Sequence, residues 1–233
     1  MYNKKTVLAI IPARGASKRL PRKNLKPLSG KPLIVWTIEQ ALLSKYLDTI
    51  IVSTDDKEIA LVSKNHGAEV PFMRPKELAE DRVNAVEAAL HALEKLSEKY
   101  DYIMLLQPTC PLRTVYDIDS CIKQCVKIDA PSCVSINKVS KSPYWIYRLA
   151  DDKRVVPFFK SDLNKAQSQE QPESYYINGA IFVAKCDYLK KVKHFVTDET
   201  VAYIMPDERS FDIDTHLDFL ICEFLLERRE NGL

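Results

Sequence analysis

Short apolar runs without alternation punctuate the first 140 residues. Residues 6–11 (TVLAII), 49–52, 102–106 (YIMLL) and 133–136 read as buried strands. Between them, residues 32–44, 57–65, 83–98 and 115–127 repeat apolar positions at helical spacing. The polar run Ser53-Thr54-Asp55-Asp56 supplies a cap for the second of these helices, and Gly67 its C-cap. A further strand is predicted near 69–73. Strands that alternate with helices imply right-handed βαβ crossovers, and a mostly parallel sheet covered on both faces. Ligands of such sheets sit beyond the carboxyl ends of the strands. That rule singles out the loop after Ile11, the STDD run and the QPTCPLR run after Leu106.

The pattern changes near residue 140. Tyr144, Trp145, Tyr147, Phe158 and Phe159 cluster, and residues 160–174 are polar and Gln-rich without periodicity. Residues 143–174 read as a projecting arm, whose aromatics suit an oligomer interface. A core strand follows at 177–184, and a final helix at 216–229. The chain is expected to be one domain over 1–233, with this excursion at about 140–175.

Charge sharpens the picture through its distribution. The net charge is +2, yet the first 38 residues hold nine Lys or Arg and no acid. A local basic block in a near-neutral chain suits a small anionic ligand better than nucleic acid. The six cysteines form no CxxC pair and have no His beside them, so they read as free thiols of a reducing compartment rather than a zinc site. The N-terminus enters a strand-like run without a signal-peptide layout, and no long apolar span occurs; a cytoplasmic protein is expected.

Four constellations carry chemistry. The loop 12–26 (PARGASKRLPRKNLK) holds six cations, with Gly15, Ala16 and Ser17 allowing close backbone approach to phosphates. It matches neither GxxxxGK[ST] nor GxGxxG. In Asp212-Ile213-Asp214, alternation puts both carboxylates on one side, the usual protein share of a Mg²⁺ site completed by phosphates and water. Gln107, Thr109 and Arg113 sit on a stiff two-proline turn and could meet a polar ligand; the alternative is a rigid turn with Arg113 tied to the backbone. Asn178-Gly179, inside a strand-like run, marks either a hairpin turn or a close backbone approach to a ligand. None of the four His residues stands in a catalytic pattern.

In order, IIPARGASKRLPRKNL, VSTDDKEIA, RPKELAEDR, LLQPTCPLR, INGAIF and FDIDTHLD resemble the acylneuraminate cytidylyltransferase family nearly end to end. The resemblance implies a nucleotide-diphospho-sugar-transferase-like three-layer αβα sandwich with a mixed seven-stranded sheet. It implies a homodimer in which the arm reaches over the partner's active site. It implies that CTP and a nine-carbon α-keto sugar acid give a CMP-sugar and pyrophosphate. By similarity, Arg14, Ser17, Lys18, Lys23 and Asn24 hold the triphosphate and cytidine, with Arg14 and Lys23 also catalytic. Arg74, Asp81 and Asn84 border the nucleotide pocket. Gln107, Thr109 and Arg113 line the sugar side, with Tyr176 and Asn178. Asp212 and Asp214 bind Mg²⁺, with Mn²⁺ as a substitute, and Asp212 helps to deprotonate the attacking hydroxyl. Some members carry Arg where Tyr176 stands and Ser where Ala85 stands. The sugar is therefore N-acetylneuraminate or a bacterial analogue such as legionaminate. The rivals are a Kdo cytidylyltransferase, whose family shares a similar basic start, and a catalytically silent nucleotide-binding homologue.

Overall fold

A computed structural model describes residues 1–164 and 166–230. In chain order the strands are β1 (Val7–Pro12), β2 (Pro27–Leu28), β3 (Lys31–Pro32), β4 (Thr49–Ser53), β5 (Tyr102–Leu106), β6 (Ser132–Lys138), β7 (Tyr147–Leu149), β8 (Val155–Pro157), β9 (Tyr175–Lys185) and β10 (Val201–Ile204). The helices are α1 (Leu33–Leu42), α2 (Lys57–Asn65), α3 (Ala85–Lys95), α4 (Val115–Lys127), α5 (Cys186–Val192) and α6 (His216–Glu230). The main sheet has the order β10-β6-β9-β5-β1-β4. Strand β9 pairs antiparallel with both its neighbours, and every other pairing in that sheet is parallel.

The continuous apolar character of β1 has a direct cause. Val7, Ala9 and Ile11 face a core built with α1, α2 and α4, while Leu8 and Ile10 face one built with α3 and α5. Successive side chains of a strand point to opposite faces, so a strand between two helical layers must be apolar at every position. Helix α6 closes a third cluster in which Leu28, Leu33, Trp36 and Ile213 meet Phe219, Cys222 and Leu226.

The main sheet has six strands where the resemblance called for seven. At the predicted 69–73 strand, Glu69 makes one isolated parallel bridge to Ile51. Its N–H reaches the Ile50 carbonyl, and its carbonyl takes the Val52 N–H. The next donor in that ladder would be residue 71, a proline with no N–H, so pairing stops. Helix α3 starts two residues later than predicted because Asn84 is its cap, accepting the Val86 N–H at 3.2 Å. The arm folds as the β7–β8 hairpin and leaves Trp145, Ile146, Tyr147, Leu149, Val155, Phe158 and Phe159 exposed.

Candidate active site

The loop after β1 and the Asp212–Asp214 segment form opposite walls of a cleft of about 290 Å³ at the carboxyl ends of β1 and β5. Arg14, Ser17, Lys23, Asn24, Arg74, Asp81, Asn84, Gln107, Thr109, Asp212 and Asp214 all line it. The fold therefore brings together residues spread across 200 positions of sequence.

Each wall is held by identifiable bonds. On the loop side, the Gly15 N–H donates to Asp55 at 2.9 Å, and the Asn24 amide donates to the Arg14 carbonyl at 3.0 Å. A Cβ on Gly15 would stand 2.7 Å from a carboxylate oxygen of Asp56 and 2.9 Å from its Cβ. Gly15 is thus required for packing against the STDD run. Asp56 caps α2 and pairs with Arg22 at 2.8 Å. On the opposite wall Ile213 is wholly buried under α6, which turns Asp212 and Asp214 outward together. The Ile213 N–H donates to the Thr109 carbonyl at 2.8 Å, and the Lys23 ammonium donates to the Ile213 carbonyl at 2.6 Å. Lys23 therefore ties the two walls together, with Asp214 a further 3.6 Å contact.

Five of the six loop cations already have carboxylate partners in the protein. Asp81 takes Arg14 on one oxygen and Lys18 on the other, both at 2.5 Å, and Arg19 pairs with Asp214 at 2.5 Å. The Lys18 hydrogen bond, chiefly, and Arg14 hold the Asp81 carboxyl below its ordinary pKa. Two buried polar atoms in the cleft lack partners, Asn24 Oδ1 and Arg74 Nε. Arg74 is 7% exposed; desolvation lowers its pKa, and Asp55 offsets this only in part. A buried polar atom left unsatisfied costs about 1–3 kcal/mol.

Asp212 is open to the cleft but crowded by protein on its other sides. That crowding, chiefly, raises its pKa, and repulsion from Asp214 adds to the rise, while Thr109, Lys23 and the Cys110 thiol oppose it. Two mutually repelling carboxylates beside a cluster of anion-binding cations are a hard-oxygen donor pair that suits Mg²⁺. Among the described residues, no group of three or more His, Cys, Asp or Glu forms a closed metal site. The pair would leave the remaining coordination to phosphate and water.

Four predicted residues, Lys18, Arg113, Tyr176 and Asn178, lie outside this cleft. Lys18 sits at the outer mouth, beside a surface groove shared with Arg14 and Asp81. Arg113 is 1% exposed beneath the turn after β5, donating to the Gln107 and Ala180 carbonyls at 3.2 and 2.7 Å and to the Thr37 hydroxyl at 2.8 Å. Burial brings its pKa down to about 10. Its location is that of a strut which fixes the turn after β5 against β9 and α1. Asn178 is also buried, accepting from Ser135 at 2.6 Å and donating to Ser210 at 3.0 Å. The Asn-Gly pair lies within β9, opposite an irregularity of β6 between Val134 and Ile136, and forms no hairpin turn. Gly179 has φ +78°, and a Cβ there would touch the Gln107 carboxamide at 3.7 Å. Tyr176, Asn178 and Gly179 line a separate pocket that shares Gln107 and Asp212 with the cleft. Phe211 and Ser210 complete this pocket and escaped the sequence reading. Their only signal is adjacency to the Asp-Ile-Asp motif.

Sheet order and cleft define a mixed, mostly parallel α/β protein with a cation-lined cleft at the carboxyl edge of the sheet. The chain belongs to the cytidylyltransferase family, whose model matches residues 8–203. The N-acylneuraminate cytidylyltransferase of Escherichia coli O18:K1:H7 is 38% identical over 213 residues, which is 91% of this chain and 50% of that protein. The CMP-N,N'-diacetyllegionaminic acid synthase of Legionella pneumophila is 36% identical over 232 residues, 97% of this chain and 99% of that one. The chain thus spans about half the length of the first relative and nearly all of the second. A solved CMP:2-keto-3-deoxy-manno-octonic acid synthetase in complex with CTP has a TM-score of 0.75 at 17% identity, covering 96% of this chain and 99% of that one. The 4-diphosphocytidyl-2C-methyl-D-erythritol synthase of Anaerococcus prevotii scores 0.67 at 15%, covering 96% and 97%. At these identities the structural likeness is one of fold.

Proposed function

We propose that the protein transfers a cytidylyl group from CTP to a nonulosonic, sialic-type acid, either N-acetylneuraminate or an analogue such as legionaminate, and releases pyrophosphate. The observation that carries this reading is the cleft in which the β1 loop faces Asp212 and Asp214. The names of the two relatives select CTP and the sugar acid. The acceptor hydroxyl attacks the α-phosphorus; a new P–O bond forms as the bond to the β-phosphate oxygen breaks, and pyrophosphate leaves with the electron pair. Arg14, Lys18 and Lys23 neutralise the triphosphate, and Asp212 stands ready for the hydroxyl proton. An ordinary Asp has a pKa near ~3.9, far too low to drive that proton transfer alone, so electrostatic stabilisation carries most of the rate. Mg²⁺, or Mn²⁺ in its place, held by Asp212 and Asp214, supplies further charge neutralisation when bound.

The exposed aromatic arm supports a homodimer. Six unpaired cysteines support a reducing cytoplasmic setting. Among the described residues no helix is long and apolar enough to cross a membrane. The test of the activity is pyrophosphate release with CTP, Mg²⁺ and a panel of nonulosonic acids and Kdo. Release with at least one nonulosonic acid is expected. Release with Kdo alone reassigns the acceptor, and no release with any acid removes the enzyme reading.

A further inference from the structure

The turn after β5 lies behind Asp212 and supports it from the protein side. The two backbones are already joined, because the Ile213 N–H donates to the Thr109 carbonyl at 2.8 Å. Ile213 is wholly buried, which fixes the side to which its neighbours turn. What remains free at Asp212 is rotation of its own side chain. The residue that meets that side chain from inside is Cys110, which is 0% exposed. Its Sγ lies 3.8 Å from Asp212 Oδ1 and 3.7 Å from the Asn178 carbonyl oxygen. The Thr109 hydroxyl also bonds to Asp212, but it stands 3.4 Å from Gln107 Oε1 as well and has one proton for both.

Chemistry decides what the thiol does there. Burial favours the neutral thiol over the thiolate, so Cys110 is a donor and not a nucleophile. Of two acceptors at nearly equal distance, an ionised carboxylate draws the proton more strongly than a neutral carbonyl. Other buried thiols with a close polar partner meet only sulfur or a backbone carbonyl: Cys121 faces Cys133 at 3.5 Å, and Cys125 the Ala130 carbonyl at 3.6 Å. Among the described residues, only the Cys110 sulfur stands within hydrogen-bond distance of a carboxylate. A bond taken on the buried side fixes the carboxylate plane. A carboxylate oriented before the reaction costs no reorganisation during it.

We infer that Cys110 is a positioning residue for Asp212: its thiol donates to the buried side of the carboxylate and sets the orientation in which Asp212 faces the cleft. The kinetic consequence rests on the cytidylyl-transfer reading above; the contact itself does not.

The test compares Cys110→Ser, which keeps a donor at this place, with Cys110→Ala, which has none. With CTP, Mg²⁺ and a nonulosonic acid that the wild type turns over, Cys110→Ala is expected to lower kcat about threefold to tenfold, the kinetic equivalent of one ordinary hydrogen bond. KM for CTP stays unchanged, and Cys110→Ser restores kcat to near wild type. A role in packing alone would leave Cys110→Ser no better than Cys110→Ala, since both side chains are smaller than that of Cys. That result, an unchanged kcat in Cys110→Ala, or a parallel rise in the KM for CTP would overturn the assignment. Raman spectroscopy of the S–H stretch reads the contact without turnover. The Cys110 band is isolated from those of the other thiols by its loss in Cys110→Ser, and Asp212→Ala should move it to higher wavenumber. A band that Asp212→Ala leaves in place overturns the contact. If the wild type turns over no acid, the transfer reading falls, and the Raman shift still decides whether Cys110 holds Asp212.

Discussion

On the nucleotide side of the cleft, Arg14, Lys18, Arg19, Arg22 and Lys23 hang from one loop, each already engaged by a carboxylate. Across Asp212, the neighbouring pocket is lined by Tyr176 and Phe211 and by no cation among the described residues. A polyphosphate entering the first region exchanges one set of ionic partners for another. Its affinity is therefore a difference between competing charge pairs, and it falls as salt screens them. A ligand entering the second gains by covering apolar surface. On the proposed reading the two substrates would be selected by different physics on the two sides of Asp212, and substitutions should separate them.

The largest separation is expected at the boundary. Asp212→Asn should cut turnover about a hundredfold to a thousandfold, the scale of losing one preorganised electrostatic contact in a transition state, with little change in CTP affinity. Single-turnover kinetics beside equilibrium CTP binding checks this; an unchanged turnover takes Asp212 out of the site. Next is Arg113, which the resemblance put on the sugar side and which the structure buries beneath the turn after β5. Arg113→Met removes the guanidinium bonds to the Ala180 carbonyl and the Thr37 hydroxyl and should destabilise the fold by about 3 kcal/mol in urea unfolding. KM for the acceptor in the folded fraction should stay near wild type, and a selective rise would return Arg113 to the site.

The acceptor wall has its own anchor. Fully buried Asp117 takes Arg209 at 2.9 and 3.0 Å, just before Ser210 and Phe211. Desolvation alone would raise the Asp117 pKa, but the hydrogen bonds from Arg209 and Thr114 outweigh it and hold the value below normal. Its stabilisation is therefore complete above about pH 5 and is lost as pH falls through the folded-state value. Asp117→Asn should flatten the acid limb of the stability–pH curve and loosen acceptor binding before nucleotide binding. An unchanged acid limb contradicts the anchor. The smallest effect is expected at Asp81, which occupies Arg14 and Lys18 at the exposed mouth. Asp81→Asn should lower the KM for CTP modestly by freeing both cations; a raised KM would instead make Asp81 a direct nucleotide contact.

The contrast also explains what the sequence disclosed. The nucleotide half was legible because strand β1, buried on both faces, and a dense run of cations leave plain local signals. Asp212 and Asp214 were legible because Ile213 between them has to be buried. The acceptor half was harder to read. Arg113 looks like a ligand residue until its partners Thr37 and Ala180 are known, and those lie 76 and 67 residues away. Phe211 is an ordinary apolar residue in sequence, and only the β9 backbone beside it makes it a wall. Strand β10 and helix α5 went unread because they are short and partly exposed, and the strand forecast at 69–73 failed at Pro71.

The central claim is bond-breaking at one phosphorus. ³¹P NMR of CTP, Mg²⁺ and N-acetylneuraminate with the protein follows that atom directly. The α-phosphorus is expected to become a sugar phosphodiester while the β- and γ-phosphorus appear as free pyrophosphate, with Asp212→Asn nearly silent. An α-phosphorus that stays in a triphosphate with every nonulosonic acid, or cleavage between β and γ to give CDP and phosphate, would contradict the account.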